Sequence, residues 1–212
     1  MKRHQAIALA TLFVTTLAAP ATANRLTDPG FEDASKFTTD GAPFVGFWEA
    51  FTSGSLAASQ LSTTMPHTGA QSMELLIDSS ANQFAGAFQD VPFSASIAGN
   101  EGTFSGWHKS LGDSGGVEIR IEWRDSVNNV EISRTPNFAP TPGADYEQFS
   151  LTATSPAGSD TARVVYAIQS FGGALTQQVF VDDLSFTIVP EPVSFGLASL
   201  AGLALVAVGR RR

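Results

Sequence analysis

Acidic side chains gather near the two ends of the chain's central region. One stretch reads LTDPGFED, Leu26 to Asp33, and the other reads VFVDDLSF, Val179 to Phe186. Glu32 in the first and Asp182-Asp183 in the second are hard oxygen donors. A calcium ion takes about six to eight such oxygens from carboxylates and main-chain carbonyls. Carboxylates from opposite ends of the chain, completed by loop carbonyls, would fasten the termini of a domain. On spacing alone, acids solvated on an acidic surface are the stronger reading, because the donors are not local in sequence and match no metal-loop motif. Catalysis finds less support. The histidines are His4, His67 and His108, and no G-x-S-x-G accompanies them. Glu118 and Glu122 fall on one strand face with Arg120 between them, which surface ion pairing explains. The chain has no cysteine, so thiolate zinc sites, disulfides and cysteine nucleophiles are excluded. The expectation is a protein without enzyme activity.

Aromatic residues offer a second chemistry, stacking on the apolar face of a sugar ring. Trp48, Trp107, Trp123, Tyr146 and Phe171 are the ones to consider. Trp123 belongs to an apolar strand face, Trp107 continues the alternation of Phe104 and Gly106, and Trp48 lies among Phe47 and Phe51. Packing therefore accounts for the tryptophans. Tyr146 and Phe171, each beside a loop, are the ligand-binding candidates.

The elements that position these residues are strands. GVEIRIEWRD alternates strictly, with Val117, Ile119, Ile121 and Trp123 on one side and Glu118, Arg120, Glu122 and Arg124 on the other. ARVVYAIQS, QQVFVDDLSFTIV, TFSGWHK, QSMELLI, FAGAFQDV, SLAASQL and YEQFSLTAT are further candidates. Clusters such as SLGDSGG, DSVNN, TPNFAPTPGAD and SPAGSD separate them. No long helical period and no internal repeat interrupts this pattern. The expectation is an all-β antiparallel sandwich of about eight strands, one domain over residues 24–188.

The two ends of the chain are of a different kind. MKRHQAIALATLFVTTLAAPATAN has a basic start, an apolar stretch and a small-x-small site at Ala21-Thr22-Ala23, so residues 1–23 read as a secretory signal peptide. Residues 189–212 hold Pro190-Glu191-Pro192, an uncharged run of 17 residues from Val193 to Gly209, and Arg210, Arg211 and Arg212. The run is at the lower limit for a membrane-spanning helix, and the arginines would remain in the cytoplasm. Setting aside these ends leaves 7 of the 12 basic and 19 of the 20 acidic residues in Asn24 to Pro190, about −12 by formal count. Such a surface argues against nucleic acid and anionic lipid as partners and is compatible with cations.

Several segments together resemble known families. LTDPGFED, HTGAQSMEL, TFSGWHK, QFSLTATSPAGSDTARV and VFVDDLSF resemble, in order, the jelly-roll carbohydrate-binding modules with a galactose-binding-domain-like fold. Their opening usually reads Asn-Pro-Gly-Phe-Glu, and Asp28 stands here where the Asn would be. The resemblance implies a structural calcium held by Glu32 and Asp182 side chains and the Gly30 carbonyl, with one or two carbonyls near His67 to Ala70. Asp183 is the alternative to Asp182, since neighbouring strand residues face opposite ways. The tail resembles the PEP-CTERM sorting signal. That likeness implies recognition by an exosortase-type enzyme of a Gram-negative bacterium, a membrane-tethered intermediate, processing near the triplet and delivery to the cell surface or matrix. The expected function is an exported, non-catalytic protein binding extracellular polysaccharide. The alternative is a structural or adhesive matrix protein without a defined sugar ligand.

Overall fold

The computed structural model describes residues 23–39, 44–113 and 116–189. The signal segment before residue 23, and the tail with Pro190, Glu191, Pro192, Arg210, Arg211 and Arg212, lie outside the described residues. Among the described residues no helix is long and apolar enough to cross a membrane.

Eleven strands follow a single 3₁₀ turn at Ala34–Lys36. They are β1 (Phe37–Thr38), β2 (Trp48–Thr52), β3 (Ala57–Ser62), β4 (Ser72–Ser80), β5 (Phe84–Pro92), β6 (Glu101–Ser110), β7 (Val117–Asp125), β8 (Val130–Arg134), β9 (Glu147–Thr154), β10 (Thr161–Gln169) and β11 (Leu175–Val189). All eight strand candidates from the sequence are strands. The three additions, β1, β2 and β8, have 2, 5 and 5 residues, too few for alternation to stand out. The strands form a six-stranded sheet, β1-β2-β5-β10-β7-β8, and a five-stranded sheet, β3-β4-β11-β6-β9. All pairings are antiparallel except β1 with β2.

The alternation of β7 decides how the two sheets meet. Val117, Ile119, Ile121 and Trp123 are buried against the five-stranded sheet. From β10, Ala162, Val164, Tyr166 and Ile168 join them, and Met73, Leu75, Ile77, Phe104, Val179, Val181 and Phe186 come from the opposite sheet. Burial of this apolar surface, at about 25 cal/mol per Å², is the main stabilising contribution in a domain without disulfides. One polar pair sits inside it. His108 is 1 % exposed, and its Nδ1 lies 2.7 Å from the Tyr166 hydroxyl. Burial pulls the imidazole down to about 4 and pushes the Tyr166 phenol up, so both are neutral at pH 7.

The opening segment lies against the end of β11. Phe31 is fully buried, 5.3 Å from the Trp48 ring, and the Trp48 indole donates to the Asp28 carbonyl. Main-chain bonds from Arg25 N to Phe186 O and from Leu184 N to Pro29 O hold the segment beside the last strand. The first and last parts of the domain therefore meet.

Candidate functional site

At this meeting point three acidic side chains, Glu32, Asp182 and Asp183, approach one turn. The Glu32 carboxylate accepts from Ala70 N at 2.9 Å and Gln71 N at 3.0 Å. Asp182 accepts from His67 N at 2.8 Å, Thr68 N at 3.1 Å and Asp183 N at 2.7 Å. Asp183 lies 2.7 Å from His67 Nδ1 and accepts from the Thr68 hydroxyl at 2.7 Å. Asp28 accepts from Glu32 N and Asp33 N, which holds the opening turn. A Cβ on Gly30 would stand 3.7 Å from Asp183 Oδ1 and 3.8 Å from Asp182 Oδ1. Gly69 has φ +63, which favours glycine, and a Cβ there would force the Glu32 carboxylate to move.

From the sequence, Asp182 and Asp183 are alternatives on opposite faces of a strand; the structure differs. The register of β11 against β6 shifts between Asp182 and Ser185, and Asp183 has φ +48. This bulge turns both carboxylates toward the loop of residues 63–71. Asp182 is fully buried, and desolvation raises its pKa against the opposing pull of three main-chain donors. No Arg or Lys forms an ion pair with Glu32, Asp182 or Asp183 among the described residues. Hard oxygens with excess negative charge suit a calcium ion. Nevertheless, the described residues contain no group of three or more His, Cys, Asp or Glu side chains set to hold a metal. Main-chain carbonyls such as that of Gly30 would have to supply part of the shell.

The same loop packs on the outer face of the five-stranded sheet. His67 stacks on Trp107 at 4.5 Å, and the Tyr146 hydroxyl donates to the Met65 carbonyl at 2.6 Å. Burial raises the Tyr146 phenol well above its usual range. Tyr146 is therefore committed to holding this loop in place.

Phe171 lies elsewhere, at the end of a row of phenylalanines on the outer face of the six-stranded sheet. Phe44–Phe88, Phe88–Phe51, Phe51–Phe84 and Phe84–Phe171 follow one another at centroid separations of 5.2, 6.2, 6.1 and 6.4 Å. Phe171 is 57 % and Phe84 36 % exposed. The row needs Gly86, which β2 and β10 bracket in register with Phe51 and Ala167. A Cβ there would come within 2.6 Å of the Phe51 ring and 2.7 Å of the Tyr166 carbonyl.

Beside the row runs a ladder of arginines and carboxylates. Arg163 forms a two-point bond to Asp90, at 2.6 and 2.9 Å, with its guanidinium 3.9 Å from the centre of the Phe88 ring. Arg120 donates to Glu122 at 2.7 Å, while Arg124 and Arg134 approach the same carboxylate at 3.6 and 3.8 Å. Glu131 takes a two-point bond from Arg134, which holds its carboxyl below the usual range. Four of the seven basic residues of Asn24 to Pro190 thus stand on one face. The sequence shows the β7 half of this ladder as plain ion pairing. The phenylalanines escape it because they come from β2, β5 and two loops, adjacent only after the sheet forms.

The tryptophans have structural places, Trp48 and Trp123 in the core and Trp107 half-buried under His67.

No protein-family model matches the sequence, and comparison with curated proteins gives no match. Solved structures do match. The xylan-binding module CBM22-1 of Paenibacillus barcinonensis Xyn10C aligns with TM-score 0.53 at 18 % identity, covering 82 % of this chain and 99 % of that one. A family-4 carbohydrate-binding module aligns with TM-score 0.51 at 14 % identity, covering 77 % and 99 %. The enzymatically active domain of bacteriophage CBA120 tailspike protein 4 aligns with TM-score 0.59 at 13 % identity. That match covers 78 % of this chain and only 21 % of the tailspike chain, so this chain spans about a fifth of that protein's length. The fold of the described residues is accordingly the two-sheet β-sandwich that these carbohydrate-binding modules share.

Proposed function

We propose that this chain is an exported, non-catalytic carbohydrate-binding protein whose ligand lies on the outer face of the six-stranded sheet. The observation that carries the reading is the phenylalanine row beside the arginine–carboxylate ladder. Aromatic faces stack on the C–H surface of sugar rings, and each buried ring contributes through desolvation. Guanidinium and carboxylate groups offer sugar hydroxyls both donors and acceptors, and charged partners make the stronger bonds. Their mutual pairing holds the side chains in place before binding, which limits the rotamer entropy lost. The fold likeness to carbohydrate-binding modules supports this reading but does not choose the sugar.

Two further parts belong to the proposal. A structural calcium would be held by the side chains of Glu32 and Asp182, with Asp183 beside them and the carbonyls of Gly30 and the 67–70 turn completing the shell. When bound it would supply positive charge to a corner that has acids from both ends of the domain. The tail, from its Pro190-Glu191-Pro192 motif and terminal arginines, would be read by an exosortase-type enzyme after transient membrane tethering. Delivery to the surface of a Gram-negative cell or to its matrix would follow.

Affinity electrophoresis of the full chain against neutral and acidic polysaccharides, including the producer's exopolysaccharide, tests the binding. Retention is expected, and Phe88→Ala and Arg120→Ala should each weaken it about tenfold, roughly 1.4 kcal/mol. Retention on none of them would overturn the proposal and favour a structural or adhesive role.

A further inference from the structure

At one flank of the sandwich β9 ends the five-stranded sheet as an edge strand, on the sheet opposite the phenylalanine row. An edge strand presents unpaired N–H and C=O groups, and most sheets blunt it with charge, proline, a bulge or short length. Three of the four edges here are managed in this way or covered. β1 has two residues, β8 carries Glu131, Arg134 and a register shift, and β3 lies against β2 with Ser59 and Ser62 buried. β9 has none of these protections. It pairs with β6 without a shift along all eight residues, and Gln148 to Thr154 contain no charge and no proline. Among the described residues, its main chain bonds to no segment other than β6.

The pattern of β9 matches itself when reversed. Phe149, Leu151 and Ala153 face the core, while Gln148, Ser150, Thr152 and Thr154 are exposed on the outer face. Antiparallel pairing centred on Leu151 sets Ser150 against Thr152, Phe149 against Ala153 and Gln148 against Thr154. Apolar residues then meet apolar ones, and hydroxyls meet hydroxyls, as Thr152 already meets Thr103 at 3.0 Å across β6. Charge selects the same orientation. The acidic residues Asp145 and Glu147 stand at one end of the strand only, so reversal places them against the uncharged Ala157 and Ser155. Parallel pairing would stack Glu147 on its twin. The flank also includes β8, since β7 faces β9 across the sandwich, and Val130 and Ile132 on β8 are 49 % and 38 % exposed.

We propose that β9 is a self-pairing edge, through which two copies of this chain join antiparallel about Leu151 and fuse their five-stranded sheets. With each domain at about −12, the copies repel at low ionic strength, and salt strengthens the dimer by screening.

The absence of native cysteine makes the register directly testable in the full chain. Leu151 opposite its own twin has Cα atoms about 5 Å apart, within disulfide reach. Mild oxidation of Leu151→Cys should give a covalent dimer. Gln148→Cys, about 20 Å from its twin in this register, should not. Equal cross-linking of both would overturn the register. In sedimentation, Thr152→Lys, exposed and away from the core, should raise the dimer dissociation constant at least about tenfold, with the melting temperature unchanged when measured at dilution where both proteins are monomeric. Wild-type chain that stays monomeric at high salt, or Thr152→Lys dimerising as the wild type does, would overturn the proposal.

Discussion

Single side chains here are set by what surrounds them more than by what they are. His108 lies in the core, and its imidazole is held at about 4 rather than 6.5 because burial disfavours the charged form. A histidine depressed in the folded state contributes stability that is complete above pH 6.5 and is lost as pH falls toward 4. The loss over that interval is roughly 3 kcal/mol. Urea unfolding at pH 7 and pH 4 should show it, and His108→Gln, which keeps a partner for Tyr166, should show a smaller difference. Equal pH slopes for the two proteins would refute this account of His108. Phe171 and Tyr146 make the complementary point. Both stand beside loops in the sequence, yet Phe171 extends an exposed row while Tyr146 bonds the Met65 carbonyl on the opposite sheet.

At the scale of elements, close approach between strands builds the aromatic face. Gly86 in β5 lies between Phe51 of β2 and Ala167 of β10, and the Phe51 ring occupies the space where a Cβ would be. Gly86→Ala should cost about 1–3 kcal/mol by overpacking and should also weaken polysaccharide retention by displacing Phe51. Thermal melts and affinity gels on the same variant measure both effects, and a variant unchanged in both would remove Gly86 from the argument. The bulge in β11 has a similar role at the acidic corner. Without it Asp182 and Asp183 would point to opposite faces, and only one would reach the 63–71 loop.

At the scale of the whole domain, the opening segment and the last strand close on each other among the described residues. Glu32 and the Asp182-Asp183 pair join the opening segment, the 63–71 loop and β11. The proposed calcium would act there on global stability, contributing about 2.7 kcal/mol at 100 times its dissociation constant. A chelator should therefore lower the melting temperature, calcium should restore it, and Glu32→Ala should remove the response. Identical melts with and without chelator would dismiss the ion. Much of the architecture was legible in the sequence, because strict alternation in β7 and short turn-bounded runs rich in β-branched, aromatic and small residues in seven other segments are local signals of strands. The absence of cysteine and the acidic balance were equally local. Strand order was not, and with it went the outer face of the six-stranded sheet. Phe44, Phe51, Phe84, Phe88 and Phe171 read as unrelated aromatics until β2, β5 and their loops align. The shared direction of Asp182 and Asp183 also required a register shift that no sequence period encodes. Sequence alone determined that the domain is built of strands and which face of β7 is buried, since that follows from polarity along a chain. Tertiary structure decided which exposed residues are neighbours, since that depends on pairing between strands far apart in the chain.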